Sequence, residues 1–495
     1  MTRLDSILRN TLFSFIGRGI DVIVTFALAV VLARYLGPEG MGEYTYIIAF
    51  VAIFVPFIDL GLDHILIREI ARHRDSARKY VGAALLLKML IILVLLPAGM
   101  IATWIVGDAS VSNWAVFLCF AGTLILREIP TVVGYAVFLS YERMEYRALV
   151  TLLFQIVKLV LTIGVILMGG SIVAIFGAAL LAEAFQGAAA LYLVVRKFIK
   201  PRLVFDPKLW KHYVKESLPI GIAFAFNNLY FQVDILILKH FRTAEETGWF
   251  GVPFRVVTTL FSVLIPVIWV LLPHLTRAAR NSIEQLHEEG QGYLKAIFVM
   301  TAGITIYLGM ESQDLVVNLF GSEYLPSAAV MAFISPVIVF HAFSYFFDLT
   351  LTAVGKQKLI MIGAGSVFLV KLIVDLILVP RYGIMGAAIG TLAADVACFA
   401  IMFYLTKKHV TSFGFLRIMI KPFMAALCAG VVLWFVRVWP FYISFLIFCG
   451  SYIIFIWLFR VISPSQMTAI REMRWGMLKE SGISREDSEG SEDIE

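Results

Sequence analysis

Residues 11–33 read TLFSFIGRGIDVIVTFALAVVLA, an apolar run in which only Arg18 and Asp21 carry charge. At 1.5 Å per helical residue such a run covers the ~30 Å hydrocarbon core of a bilayer. Its apolar positions are contiguous rather than alternating, which specifies a helix and not a barrel strand. Comparable runs follow at 44–66, 80–106, 114–140, 148–168, 172–195, 218–239, 250–273, 294–320, 327–353, 358–380, 383–406, 417–437 and 441–461. The ninth is the least regular, because Glu311, Gln313 and Asp314 interrupt it. The composition agrees: 60% of the 495 residues are hydrophobic, only 15% are charged, and mean hydropathy is +0.88. Soluble domains run near 45–50% apolar and about 25% charged, so the bilayer is the solvent. Inside hydrocarbon every backbone group must be satisfied within its own span, which makes this an all-α membrane protein of about fourteen transmembrane helices.

The net charge of +6 does not point to nucleic acid, because the basic residues alternate with the spans. One set of loops carries Arg68, Arg72, Arg74, Arg78 and Lys79, Arg143 and Arg147, and Arg196 through Lys215. It continues with Arg277 and Arg280, Lys356 and Lys358, and Lys407 and Lys408. The opposite set (107–113, 168–171, 321–327 and the stretch 380–383) is short and nearly neutral. The positive-inside bias places the basic loops and both termini in the cytosol of a multi-pass plasma-membrane protein. No large outer loop is expected, which argues against a membrane glycosyltransferase or polymerase. The first span lacks a small-residue cleavage site and is expected to be retained. Cys119, Cys398, Cys428 and Cys449 lie in or beside apolar runs without metal-ligand spacing and read as small buried side chains. A short interfacial helix is expected over 465–479, followed by an acidic Ser/Gly-rich end.

The chain repeats itself. LARYLGPEGMGEYTY (32–46) echoes ILKHFRTAEETGWFGV (237–252), so that Glu39, Gly42 and Tyr44 fall opposite Glu245, Gly248 and Phe250. IVKLVLT (156–162) echoes LVKLIVD (369–375), pairing Lys158 with Lys371, and IFGAALLAEA (175–184) echoes IMGAAIGTLA (384–393). Six spans separate the copies, an even number, so both halves enter the membrane in the same sense and are related by a pseudo-twofold axis along its normal. The expected domains are a six-helix lobe over 1–200, a second over 201–410, two additional helices over 411–462 and a cytosolic tail over 463–495.

Ionisable residues fall inside these spans: Arg18, Asp21, Lys88, Arg127, Glu128, Lys158, Glu183, Asp234, Arg255, Asp348, Lys371, Asp375 and Asp395. Each costs at least ~2.5–3.5 kcal/mol at a lipid-facing helix centre, so they must face water or one another. Ser14, Arg18, Asp21 and Thr25 recur at helical spacing, as do Thr151, Gln155, Lys158 and Thr162. Asn227, Tyr230 and Asp234 do so in the seventh span, and His341, Tyr345, Asp348 and Thr352 in the tenth. Stripes on several helices suit one aqueous cleft between the lobes. The bland alternative is pairing: Arg18 with Asp21 and Lys371 with Asp375 on their own helices, Arg127 with Glu128, and Lys88 snorkelling to the interface. Within the first half the charges listed sum to a positive surplus, and within the second to a negative one. A cationic half-cavity built on Arg18, Lys88, Arg127 and Lys158, with Gln155, Asn227, Tyr230, Arg255 and Lys371, is expected to hold an anionic substrate. Asp21, Glu183, Asp234, Asp348 and Asp375 are the candidates for a coupling Na+ or H+. No other cofactor and no metal site are expected.

ARYLGPEGMGEY (33–44), FIDLGLDHILIREIAR (57–72) and GIMGAAIGT (383–391), in this order and with a 6 + 6 + 2 layout, resemble the polysaccharide-transport, Wzx-type flippases of the multidrug/oligosaccharidyl-lipid/polysaccharide exporter superfamily. The resemblance implies a non-enzymatic transporter that carries a polyprenyl-diphosphate-linked oligosaccharide from the cytosolic to the outer leaflet by rocking of the lobes. Two helices beyond twelve would shape a groove for the prenyl tail. Membrane lipids, and a polysaccharide polymerase or glycosyltransferases, are the partners it implies; a monomer is expected. The alternative within the superfamily is a cation-coupled multidrug exporter of the MATE type. No GxxxxGK[ST] segment is present to cradle ATP phosphates, which leaves an ion gradient or the membrane potential as the driver.

Overall fold

The computed structural model describes residues 3–106, 121–126 and 134–461. Arg127, Glu128, Cys119, most of the fourth expected span and the tail from 463 lie outside the described residues. The elements run α1 (Arg3–Asp59), α2 (Leu62–Arg72), α3 (Ala77–Val106), a helical segment at 121–126, α4 (Ala136–Ser140), α5 (Met144–Leu167) and α6 (Ile172–Lys197). The second half comprises α7 (Pro207–Phe241), α8 (Ala244–Trp269), α9 (Leu272–Asn281), α10 (Ile283–Met310), α11 (Ser312–Phe320), α12 (Pro326–Ile334), α13 (Val337–Ala353), α14 (Gln357–Tyr382) and α15 (Ile384–His409). The last two are α16 (Phe415–Val436) and α17 (Phe441–Leu458). Twelve segments among the described residues are long and apolar enough to cross a membrane. The first of them, 17–72, holds two crossings, because α1 breaks at Gly37, whose φ of 67° and ψ of −179° no helix accommodates.

Several spans are bounded differently from their sequence reading. The second ends at Asp59 rather than 66: Leu60 and Gly61 adopt positive φ (45° and 75°), and the amphipathic α2 leaves in a new direction. Its counterpart in the second half repeats the plan, α8 stopping at Trp269 and α9 following as a short amphipathic helix. The ninth span is shifted to 283–310, so Glu311, Gln313 and Asp314 sit at and beyond its end instead of interrupting it. The tenth splits into α12 and α13 around Ser335 and Pro336, since Pro336 supplies no amide proton to continue the helix.

The two lobes meet most extensively where the second half of α1 crosses α8. A Cβ at Gly42 would lie 2.9 Å from the Gly248 nitrogen, and one at Gly248 would lie 3.1 Å from the Gly42 nitrogen. Pro38 and Ala244 present their carbonyls to the same two glycines. Gly42 and Gly248 are counterparts in the repeat, so this crossing lies on the pseudo-twofold axis, and small residues are what allow the backbones so close. Around it, the Tyr324 hydroxyl donates to the Ala33 carbonyl (2.9 Å), Arg34 Nε donates to the Leu319 carbonyl (2.7 Å), and Lys239 pairs with Glu43 (2.6 Å). These contacts close the molecule at the end opposite the basic loops.

α16 and α17 dock on α10 of the second lobe. Tyr452 donates to the Val299 carbonyl (2.7 Å) over Gly303, and Tyr307 donates to the Phe441 carbonyl (3.1 Å). The outward faces of these two helices carry Phe435, Leu446, Ile453 and Trp457, all well exposed, as lipid contact requires.

Candidate functional site

Three adjoining cavities of about 490, 380 and 350 Å³ lie along the lobes: the first is lined by the first half alone, the second by both halves, and the third by the first half with Arg255. The first and second share Arg18; the first and third share Thr25, Lys158 and Glu183; the second and third share Arg255. Common walls make them neighbours, and the three together are termed the vestibule. It reaches toward the basic end of the molecule through Met144, Arg147 and Ala148, which open α5.

The polar stripes explain how the vestibule is built. On α1, Arg18 and Asp21 are 3.9 Å apart, and Gln155 of α5 donates its amide to Asp21. Arg18 keeps 55% of its side chain exposed, so it is available to a ligand as well as to Asp21. Lys158, two turns from Thr151 on the same face of α5, lies 5.7 Å from the centre of the Phe154 ring. From the second lobe come Asn227 of α7 and Arg255 of α8. Of the groups singled out in the sequence, Arg18, Asp21, Gln155, Lys158, Glu183, Asn227 and Arg255 are brought together here.

The others are not. Lys88 neither lines the vestibule nor snorkels: it is fully buried between Asp59 (2.9 Å) and Asp63 (3.1 Å), bracing the break at Leu60–Gly61. Lys371 is fully buried inside the second lobe, 2.8 Å from Asp234 of α7 rather than paired with Asp375 on its own helix. Its ammonium also lies 4.2 Å from the centre of the Tyr230 ring. Tyr230 points the same way, its hydroxyl donating to Asp395, which His341 Nδ1 approaches at 2.9 Å. Asp234, Asp375 and Asp395 are thus packed within the lobe, and Asp348 is absent from the vestibule's lining. The expected acidic half-cavity does not form, because the second-half acids face α7, α13, α14 and α15 instead of the seam.

Three contributors escaped the sequence reading. Arg147 precedes Thr151, Gln155 and Lys158 by helical steps and extends their stripe, but it reads equally well as a topogenic loop charge; its guanidinium lies 5.2 Å from the centre of the Tyr135 ring. Tyr135 meets Thr151 Oγ1 at 3.3 Å and accepts from Gln186, which stands one turn beyond Glu183 on α6. The described lining therefore has four basic groups, Arg18, Arg147, Lys158 and Arg255, against two acidic ones, Asp21 and Glu183. A surplus of positive charge between low-dielectric walls concentrates anions. Among the described residues no group of three or more His, Cys, Asp or Glu is placed to hold a metal ion.

Two helical lobes with polar cavities of surplus positive charge define a multi-pass membrane transporter. Residues 7–279, more than half of the chain, match the polysaccharide biosynthesis protein family, and the chain belongs to that family. It is 23% identical over 422 residues to a Shigella flexneri protein assigned as an O-antigen transporter, covering 78% of this chain and 94% of that one. It is 21% identical over 416 residues (82% and 84%) to Agl15 of Haloferax volcanii, assigned as a flippase of low-salt glycan biosynthesis. In fold it is similar to the lipid II flippase MurJ in an inward closed conformation, with a TM-score of 0.73 at 16% identity over 91% of this chain and 98% of that one. An inward-facing multidrug resistance MATE transporter matches with a TM-score of 0.64 at 16% identity, over 82% and 98%.

Proposed function

We propose that this protein flips a polyprenyl-diphosphate-linked oligosaccharide across the plasma membrane, from the cytosolic to the outer leaflet, for surface polysaccharide or glycan synthesis. The observation that carries this reading is the vestibule: Arg18, Arg147 and Lys158 of the first lobe and Arg255 of the second line adjoining cavities of a molecule that is closed at the far end. Guanidinium and ammonium groups are suited to a diphosphate. Gln155, Gln186, Asn227 and Asn228 offer the amide donors and acceptors that sugar hydroxyls need. The basic end and both termini face the cytosol, so the closed end is the outer one. Rocking of the lobes that parts the Gly42–Gly248 crossing opens the outer end while the prenyl chain stays in lipid.

The chain acts without catalysis and draws on a cation gradient, with Na+ and H+ as the chemically available ions. It works as a monomer and receives its substrate from glycosyltransferases, handing it on to a polymerase or transferase. A multidrug exporter of cationic compounds is the weaker reading, since a vestibule with surplus positive charge repels its cargo.

The test is reconstitution of the full chain in vesicles with a fluorescent undecaprenyl-diphosphate oligosaccharide on the inner leaflet and a membrane-impermeant glycan-cleaving enzyme outside. Cleavage beyond the outer-leaflet fraction, absent from protein-free vesicles, is expected. A cleavable fraction that stays at the outer-leaflet value, while cationic dyes are exported, would overturn the proposal.

A further inference from the structure

The buried cluster inside the second lobe has no part in the vestibule, yet it holds more charge than a scaffold needs. Asp234, Lys371 and Asp375 are each 0% exposed. Lys371 Nζ lies 2.8 Å from Asp234 Oδ2, off the axis of a hydrogen bond, and the Thr391 hydroxyl donates to the same oxygen (2.9 Å). Asp375 is different. Neither of its oxygens meets a hydrogen-bond donor among the described residues, nor does Asp234 Oδ1, and the two carboxyl groups lie against each other. Space is reserved for it: a Cβ at Gly390 would lie 2.9 Å from Asp375 Cγ.

Two carboxylates are buried here with one ammonium, which is paired to Asp234. With all three groups ionised, the dry site would keep an uncompensated negative charge on a carboxylate without a donor, which a protein interior does not tolerate. One more positive charge is required, and it is either a metal ion or a proton. A sodium ion would have to sit beside an ammonium that already occupies the mouth of Asp234, and two cations at that spacing repel. A proton needs no ligand shell, and placed on Asp375 it creates the donor that Asp234 Oδ1 lacks.

We propose that Asp375 carries the exchangeable proton of a proton-coupled cycle, with the Lys371 ammonium serving as a tethered counter-cation where a sodium-coupled site would need a free ion. The inference rests on the flippase reading for its purpose but not for its test. Asp234 of α7 and Lys371 of α14 are the charged groups that face Asp375. Tyr230, beneath the ammonium, links this site to Asp395 and His341. Release of the proton needs water, so it belongs to the state in which α7 and α14 part. Return of the cluster to a dry state requires that a proton be taken up again.

The test uses the full chain in detergent and a hydrophobic carbodiimide, which modifies carboxyl groups in their protonated form. The expected adduct maps to Asp375, is absent from Asp375→Asn, falls as pH rises, and is the same in sodium chloride as in choline chloride. Asp375→Asn, which mimics the protonated acid, is expected to melt within about 1 °C of the parent, against the several degrees that breaking a buried ionic cluster produces in a chain of this length. Absence of an adduct at Asp375, protection of it by sodium at constant pH, or a large fall in the melting temperature of Asp375→Asn would overturn the proposal. None of these readouts involves a glycan, so failure of the flippase reading would show separately, in the leaflet assay.

Discussion

Gly42→Ala offers a direct way to unseat the outer closure. The added Cβ would lie 2.7 Å from the Ala244 carbonyl carbon and 2.9 Å from the Gly248 nitrogen. The Ala244 carbonyl oxygen stands closer still, and since ordinary contacts lie near 3.5–4.0 Å, the two helices must separate by well over ~1 Å. Overpacking of this kind costs ~1–3 kcal/mol. Because the contact joins the lobes, the cost falls on the closed arrangement and not on either lobe alone. At 1.4 kcal/mol per factor of ten, the closed-to-open ratio falls ~5- to 150-fold. A short bifunctional thiol reagent bridging Arg34→Cys and Asn318→Cys, placed in a chain cleared of its four native cysteines, reads that ratio as cross-link yield. The yield is expected to drop with Gly42→Ala and by a similar factor with Gly248→Ala, whose Cβ would meet the Pro38 carbonyl carbon at 2.9 Å. Unchanged yield in both variants, with unchanged melting temperature, would refute the argument that this crossing seals the outer end.

Two further outcomes follow from the basic end. Lys88→Met leaves Asp59 and Asp63 facing each other at the Leu60–Gly61 break; both acids keep some water contact, so the loss is up to about 3 kcal/mol, read as a fall in melting temperature that Lys88→Met/Asp59→Asn partly restores. Asp206 caps α7 by accepting from Leu209, and Lys79 at 2.8 Å together with that amide holds its carboxyl below the ordinary 3.8. A depressed acid contributes stability above its unfolded pKa and loses it as pH falls through the lower folded value, so the advantage of the parent over Asp206→Asn is expected at neutral pH and not in strong acid. Asparagine keeps the cap, so the difference at neutral pH is that of an exposed ion pair and should fade in high salt.

The helical spans were legible because hydropathy acts locally. Gly42 and Gly248 were aligned by the repeat, and the fold puts them in contact. The stripe of Thr151, Gln155 and Lys158 likewise found the vestibule, since one helix face fixes one direction. What spacing could not tell was which face of α7 or α14 looks at the seam: Asn227 faces it, whereas Asp234, two turns on, turns inward to meet Lys371. Lys88 was hidden for the same reason, its partners lying 25 and 29 residues earlier across a helix break. Arg147 was obscured by a competing explanation, for a basic residue near a span end serves topology and ligand binding alike.

The central claim is that basic side chains from both lobes hold a diphosphate in one vestibule, and affinity tests it most directly. Binding of a short-chain polyprenyl diphosphate to the full chain should exceed that of the matching monophosphate. Charge-assisted hydrogen bonds contribute ~1.5–3 kcal/mol each, so Arg18→Gln, Lys158→Gln or Arg255→Gln should each weaken the diphosphate complex about 10- to 100-fold. Equal affinity for the two lipids, undiminished in all three variants, would contradict the account.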